Sequence, residues 1–279
     1  VVALSAALAA CSSDEGDDAP AAGVDGQTHV HAMALGADGD ILIGTHHGLL
    51  ALDPDGSEPP ERISRYRHDF MGLAGDVSGR LVASGHPDFD SGLPVHLGLM
   101  ESRDGGREWD EASIAGEADF HALALSGERV YGWDSTGGRF LVSSDGGSSW
   151  RERRVPEGLH SLAVDPADPD RVLGASDAML YLSEDGGARW RALGRGGGLL
   201  AWSPDGSATL LEYGSGRVLR SADGVEWARA GAVPFRDAVA LAAFGPRGLA
   251  SIGESGVLVV SRDGGRTWVE RASVREVPD

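Results

Sequence analysis

The sequence predicts an all-β fold assembled from repeated four-stranded antiparallel units, and three observations carry that prediction. Five segments read alike: 102–109 (SRDGGREW), 143–150 (SSDGGSSW), 183–190 (SEDGGARW), 221–227 (SADGVEW) and 261–268 (SRDGGRTW). Their aspartates stand at 104, 145, 185, 223 and 263, at intervals of 41, 40, 38 and 40 residues. That period fits a blade of four strands. Each segment also follows a short apolar or alternating run, such as 139–142 or 257–260. No amphipathic helical pattern separates these runs, which argues against a Rossmann or barrel fold with crossover helices. Finally, 42 of the 279 residues are glycine and 41% are hydrophobic, enough for many tight turns and a sizeable core. The expected architecture is a six-bladed β-propeller of four-stranded antiparallel blades over residues 28–279.

The elements follow in order. Inner strands are expected at 29–35, 69–74, 120–125, 159–164, 199–202 and 239–244. The first blade has no full copy of the repeated turn, but 49–56 (LLALDPDG) supplies a degenerate one at the right place. In the turn the Asp carboxylate accepts backbone N–H bonds, and Gly supplies the positive φ of a tight hairpin. The Trp opens the next strand and fills the gap to a neighbouring sheet.

Ahead of the propeller, residues 1–10 (VVALSAALAA) form a short apolar run ending at Cys11, the sole cysteine. The run has the character of a signal-peptide core. Residues 8–11 (LAAC) resemble a bacterial lipobox, which implies that Cys11 is lipidated and that the protein sits on the extracytoplasmic side of the cell envelope. Residues 12–27 (SSDEGDDAPAAGVDGQ) are acidic and small, the composition of a disordered tether. The formal net charge is −19, and all 24 basic residues are Arg. A field of that sign excludes nucleic acid as a partner and leaves the anchor as the only expected link to a membrane.

The chemistry-bearing residues cluster. Nine histidines occur, at 29, 31, 46, 47, 68, 86, 96, 121 and 160, and none follows His160. In a propeller the starts of inner strands and the loops between second and third strands open on one end of the channel. His29, His31, His68, Asp69, Asp119, His121 and His160 fall at inner-strand starts. His46, His47, His86, Asp88 and Asp90 fall in second-to-third loops. In register, HVHAM, DFHAL and GLHSL place His31, His121 and His160 at equivalent positions of three blades, with Met71 in a fourth. Neutral imidazoles beside carboxylates suit a divalent metal such as Zn²⁺, for which His29, His31, His121 and His160 are the expected ligands. Alternatively, Asp69 and Asp119 form an acid–base pair tuned by His31 and His121, with the glycosidic bond as target. His46, His47, His68, His86, Asp88, His160, Arg236 and Tyr213 are the expected substrate-binding residues. A third reading has the histidines cap strands or bind loop carbonyls.

The five turns resemble the Asp-box, or BNR, repeat of sialidases, sortilin-type propellers and photosystem-assembly-factor-like proteins. That resemblance implies that the boxes join third and fourth strands as scaffold, away from the working face. The segments 29–33 (HVHAM), 44–49 (GTHHGL), 68–72 (HDFMG), 84–88 (SGHPD), 98–106 (GLMESRDGG) and 117–123 (EADFHAL) resemble a group of bacterial Asp-box lipoproteins labelled glycosylhydrolases. This implies an extracytoplasmic glycosidase. Sialidases share an Arg triad, an Arg-Ile-Pro segment and a Tyr nucleophile activated by Glu. Here the nearest segment is Arg62-Ile63-Ser64, only Arg67 and Arg236 stand near the expected mouth, and Glu212-Tyr213 lies in a second-to-third loop. Sialic acid is therefore disfavoured as substrate. The competing expectations are a non-catalytic module that binds a small ligand or an envelope protein, and a metal-binding lipoprotein. A monomer is expected in each case.

Overall fold

The computed structural model describes residues 29–274 apart from 77 and 195. The lipidation site Cys11 and the tether at 12–27 lie outside the described residues. Within them the chain forms six antiparallel sheets of four consecutive strands each, a six-bladed β-propeller. Blade one comprises β1 (Val30–Leu35), β2 (Ile41–Thr45), β3 (Gly48–Leu52) and β4 (Glu61–Arg62). Blade two comprises β5 (Asp69–Gly75), β6 (Leu81–His86), β7 (Leu99–Ser102) and β8 (Asp110–Ser113). Blade three comprises β9 (Phe120–Ser126), β10 (Arg129–Asp134), β11 (Arg139–Ser143) and β12 (Arg151–Arg153). Blade four runs from β13 (Ser161–Val164) to β16 (Arg191–Ala192), and blade five from β17 (Gly198–Trp202) to β20 (Ala228–Ala232). Blade six runs from β21 (Ala238–Phe244) to β24 (Val269–Ser273).

Inner strands that are apolar on both faces have to be covered twice, once by the neighbouring blades and once around the axis. The axis is lined by Met33, Leu73, Leu123, Leu162, Leu200 and Leu241, one from each blade, around a void of about 180 Å³. Between blades lie separate apolar clusters. One joins Met33, Ile41, Ile43 and Leu50 of blade one to Phe244, Ala250, Ile252 and Leu258 of blade six. Among the described residues the ring therefore closes by packing of complete blades, with no strand exchanged between first and last. Polar contacts at the rim add to this closure: Arg262 donates to the Pro54 carbonyl at 2.7 Å and Arg271 to those of Asp53 and Glu58 at 3.0 and 3.1 Å.

The repeated turns sit between third and fourth strands, as predicted. In the first, Ser102 Oγ donates to Asp104 Oδ1 at 2.9 Å and accepts from Gly106 N–H at 2.9 Å. Asp104 Oδ1 in turn accepts from the N–H groups of Arg107 and Glu108, both at 3.0 Å. Gly106 has φ +90°, and a Cβ there would stand 2.5 Å from Leu49 Cδ2 of blade one, so the turn needs glycine for conformation and for contact. Trp109, 4% exposed, packs with Leu49, Phe70 and Leu81 and donates Nε1–H to the Gly106 carbonyl at 2.9 Å. One turn thus locks a hairpin and fills the seam between two blades.

Two expectations follow. Trp109→Ala should destabilise the fold by about 3–5 kcal/mol, the range for emptying a large buried aromatic site. Chemical denaturation checks this, and a loss near zero would contradict the seam role. The turn aspartates also set an acid limit. Hydrogen bonds from Ser149 and Ser143 push Asp145 down from 3.8 to about 2. Asp185, Asp223 and Asp263 are lowered too, each chiefly by bonds within its own turn. Groups depressed in the folded state stabilise it above their unfolded pKa, and that stability disappears as pH falls through the folded value. The melting temperature should hold near neutrality and fall below pH 4. A flat profile down to pH 2 would contradict it.

Candidate functional site

The inner strands of the first three blades each begin with one residue too many. In β1 the pairing steps from Val30–Thr45 to Ala32–Gly44, leaving His31 as the extra residue. In β5 it steps from Phe70–Gly85 to Gly72–Ser84 around Met71, and in β9 from Phe120–Asp134 to Ala122–Trp133 around His121. Val239 holds this place in β21. A bulge bends the strand and re-aims its side chains. Close backbone approach accompanies the bulges. Gly85, with φ +146°, sits where a Cβ would lie 1.9 Å from the Asp69 carbonyl oxygen. Only glycine permits the crossing that sets His86 alongside Asp69.

The result is a continuous set of imidazoles and carboxylates at the mouth of the channel. Asp69 Oδ1 lies 3.3 Å from His31 Nε2, and Asp69 Oδ2 lies 3.3 Å from both His46 Nδ1 and His86 Nδ1. The other nitrogen of His86 lies 3.6 Å from Asp119 Oδ2. That same oxygen is 3.0 Å from His121 Nε2 and 4.0 Å from His96 Nδ1, and it accepts from Thr136 Oγ1 at 3.2 Å. Asp119 is held from behind: its N–H donates to Asp134 Oδ1 at 3.1 Å, and Asp134 is clamped by Arg139 at 2.6 and 2.8 Å.

Two groups of three ligand-type residues emerge, His31 with His46 and Asp69, and His86 with His96 and Asp119. Within each, the ligand atoms all lie within 4.8 Å of one another. Hydrogen bonds satisfy part of the cluster, from His86 Nδ1 with Asp69 Oδ2 and from His121 Nε2 and Thr136 Oγ1 with Asp119 Oδ2, but not all of it. His31 Nε2, Asp69 Oδ1, His96 Nδ1 and Asp119 Oδ1 are buried without a hydrogen-bond partner. Unsatisfied buried polar atoms are rare, and four spread over two adjoining groups call for a cause.

The electrostatics fit ligands better than an acid–base pair. Burial lowers His31 to about 4, against the opposing pull of Asp69 and with the help of His46, His121 and His29. It is therefore neutral near pH 7, with a lone pair free. Burial pushes the Asp119 carboxyl up, but the His121 hydrogen bond and the charges of His121, His86 and His96 outweigh it and hold the group below its ordinary value. Asp119 stays an anion.

The other expected residues are distributed differently. The His29 ring meets the His46 ring edge-on at 5.3 Å, and the His47 ring lies 6.3 Å from it, so both flank the mouth. His160 is exposed on blade four, 3.7 Å from Asp177, and outside both groups. Of the four imidazoles expected to share a metal, only His31 belongs to one of the groups. His68 is 2% exposed and turns away from its neighbour Asp69. It stacks on Tyr66 at 5.1 Å and accepts from Asp88 N–H at 2.9 Å. With Asp88 and Trp109 it lines a separate cavity of about 550 Å³. Arg236 is exposed in the loop before β21. The Tyr213 phenol is pushed up by burial and then by Asp177, opposite to what a phenolate nucleophile requires. Sequence reasoning missed His96 and Thr136 as members of the mouth.

No family model matches the chain. A curated protein, the Dispase autolysis-inducing protein of Streptomyces mobaraensis, is 30% identical over 171 residues, 61% of this chain and 40% of that protein. The chain thus spans about two-fifths of that relative's length. Among solved structures, a chain of a nidogen/laminin complex is similar, with TM-score 0.60, 14% identity and coverage of 84% of this chain and 88% of that one. So is a catalytically inactive virginiamycin B lyase from Staphylococcus aureus with quinupristin, at TM-score 0.57, 12% identity and coverage of 89% and 86%. An ancestral GH74 enzyme matches at TM-score 0.53, 15% identity and coverage of 88% and 38%. At these identities the likeness is one of fold: the chain is a β-propeller with a glycosidase among its structural neighbours.

Proposed function

We propose that this propeller is an extracytoplasmic hydrolase, lipid-anchored through Cys11, whose mouth binds divalent metal and acts on an oxygen-rich substrate of the glycan class. The observation that carries the reading is the convergence of Asp69 and Asp119 with five imidazoles, four of the facing atoms being buried without hydrogen-bond partners. A neutral imidazole and an ionised carboxylate are what a divalent ion takes as ligands. A bound ion there would lower the pKa of a coordinated water and polarise the bond to be cleaved. His31, His46 and Asp69 form one set of residues able to hold such an ion, and His86, His96 and Asp119 another. His121 and Thr136 would orient the Asp119 carboxylate.

The glycan class comes from the glycosylhydrolase-labelled proteins that the first half of the chain resembles, and the ancestral GH74 fold is consistent with it. A metal-free pair of Asp69 and Asp119 is less well supported. Such a pair needs one protonated member at working pH, and the imidazoles around Asp119 oppose that. Below the mouth the axis is lined by apolar side chains such as Met33, Leu73 and Leu123, so the groups able to do chemistry are those of the mouth. His29 and His47 at its edge would contact substrate. His68 and Asp88 face their own cavity and would not.

The test is turnover on a glycan panel by metal-free and Zn²⁺-reconstituted protein, with Asp119→Asn alongside. Reconstituted wild type should hydrolyse at least one substrate. The variant should lose roughly 10²-fold or more in kcat/KM, the scale of removing one preorganised electrostatic group. Undiminished turnover in the variant would contradict the assignment. Specific glycan retention without turnover would leave a binding module instead of an enzyme.

A further inference from the structure

Resting on the metal-dependent reading of the mouth, we propose that the site is dinuclear, with His86 bridging two divalent ions through the two nitrogens of one ring. His86 Nδ1 is 3.3 Å from Asp69 Oδ2, and its Nε2 is 3.6 Å from Asp119 Oδ2. The two nitrogens of an imidazole point away from each other, so one ion cannot take both. Each carboxylate has its own pair of further imidazole contacts: His31 and His46 for Asp69, His96 and His121 for Asp119. Each half also has its own unpartnered buried atoms, His31 Nε2 and Asp69 Oδ1 in one, His96 Nδ1 and Asp119 Oδ1 in the other. Asp119 is 3% exposed, so its orphaned oxygen is out of reach of bulk water.

One ion would be held by the mutually close His31, His46 and Asp69, with His86 Nδ1 approaching it from beside Asp69 Oδ2 at 3.3 Å. The other would be held by His86 Nε2, His96 and Asp119, with His121 against the same Asp119 oxygen. Imidazole-rich sets with one carboxylate suit Zn²⁺ and Cu²⁺ better than Mg²⁺ or Ca²⁺. The step balances simply. A neutral His86 carries one ring proton. The first ion takes the free nitrogen. When the second ion takes the other nitrogen, that proton passes to water, and the bridging ring carries one negative charge. The fold supports such a bridge, because His86 ends β6 beside Gly85, whose close contact with the Asp69 carbonyl fixes the ring's place between the two carboxylates.

The experiment loads metal-free full-length protein with Zn²⁺ and counts bound ions, then repeats the loading with Cu²⁺ for electron paramagnetic resonance. The expected result is two Zn²⁺ per chain in wild type and in the control His160→Ala. His46→Ala and His96→Ala should each retain one. In the doubly loaded Cu²⁺ protein the two spins should be coupled through the ring, giving a signal weaker than two isolated Cu²⁺ ions. The wild-type spectrum alone carries this readout, so it stands even where a variant folds poorly. His86→Ala should abolish the coupling. One ion per chain, or two ions with uncoupled spins, would overturn the bridge and leave the metal-dependent reading standing. No bound ion would overturn both.

Discussion

One buried carboxylate, Asp119, and one half-buried, Asp69, stand at one end of this propeller, and taking a carboxylate out of water is costly unless opposite charge, hydrogen bonds or a metal compensates it. Asp69 and Asp119 are compensated by imidazoles drawn from three adjacent blades: His31 and His46 from the first, His86 and His96 from the second, His121 from the third. Much of the local architecture serves that convergence. The bulges at His31 and His121 turn side chains toward the axis, Gly85 allows β5 and β6 to approach, and the Asp134–Arg139 clamp fixes Asp119 from behind. Even so, several polar atoms remain without partners, so the protein alone satisfies the site incompletely.

The remainder of the molecule is the frame that makes such convergence precise. Each Ser-x-Asp-Gly turn closes an outer hairpin, and its glycine and tryptophan fill the seam to the preceding blade, as Gly106 and Trp109 do against Leu49. Five seams carry such a turn, and the sixth, between blades six and one, closes on aliphatic packing and rim arginines. Ligand-type residues from 17 to 38 positions apart in the chain then become neighbours. The apolar axis lies below this polar layer, lined by one large aliphatic side chain from each blade.

The fold was legible because its signal is local and repeated: residue types with one mechanical purpose recur at one period, five times. The inner strands came out close to expectation, and β13 starts at Ser161 rather than 159. The site was legible where it follows the repeat. His31 and His121 occupy equivalent bulges, and Asp69 and Asp119 stand beside them. It was less legible where it leaves the repeat. His96 belongs to the long connection between β6 and β7, which has no counterpart in the other blades to set its register. His68 stands next to Asp69 but faces a separate cavity, because adjacent residues of an extended segment face opposite sides, and a sequence position at an inner-strand start does not reveal that. His160 shares a strand position with His31 and His121 but lies a blade beyond them. Register alone does not say which blades supply one cluster.

The measurement that tests the account most directly is anomalous X-ray scattering from crystals of the Zn²⁺-loaded protein, recorded on both sides of the zinc absorption edge. The account predicts two peaks, one on each side of the His86 ring, among the side chains of His31, His46 and Asp69 and of His96 and Asp119. A mouth without anomalous signal, its imidazoles hydrogen-bonded to the two carboxylates and to loop carbonyls, would contradict it.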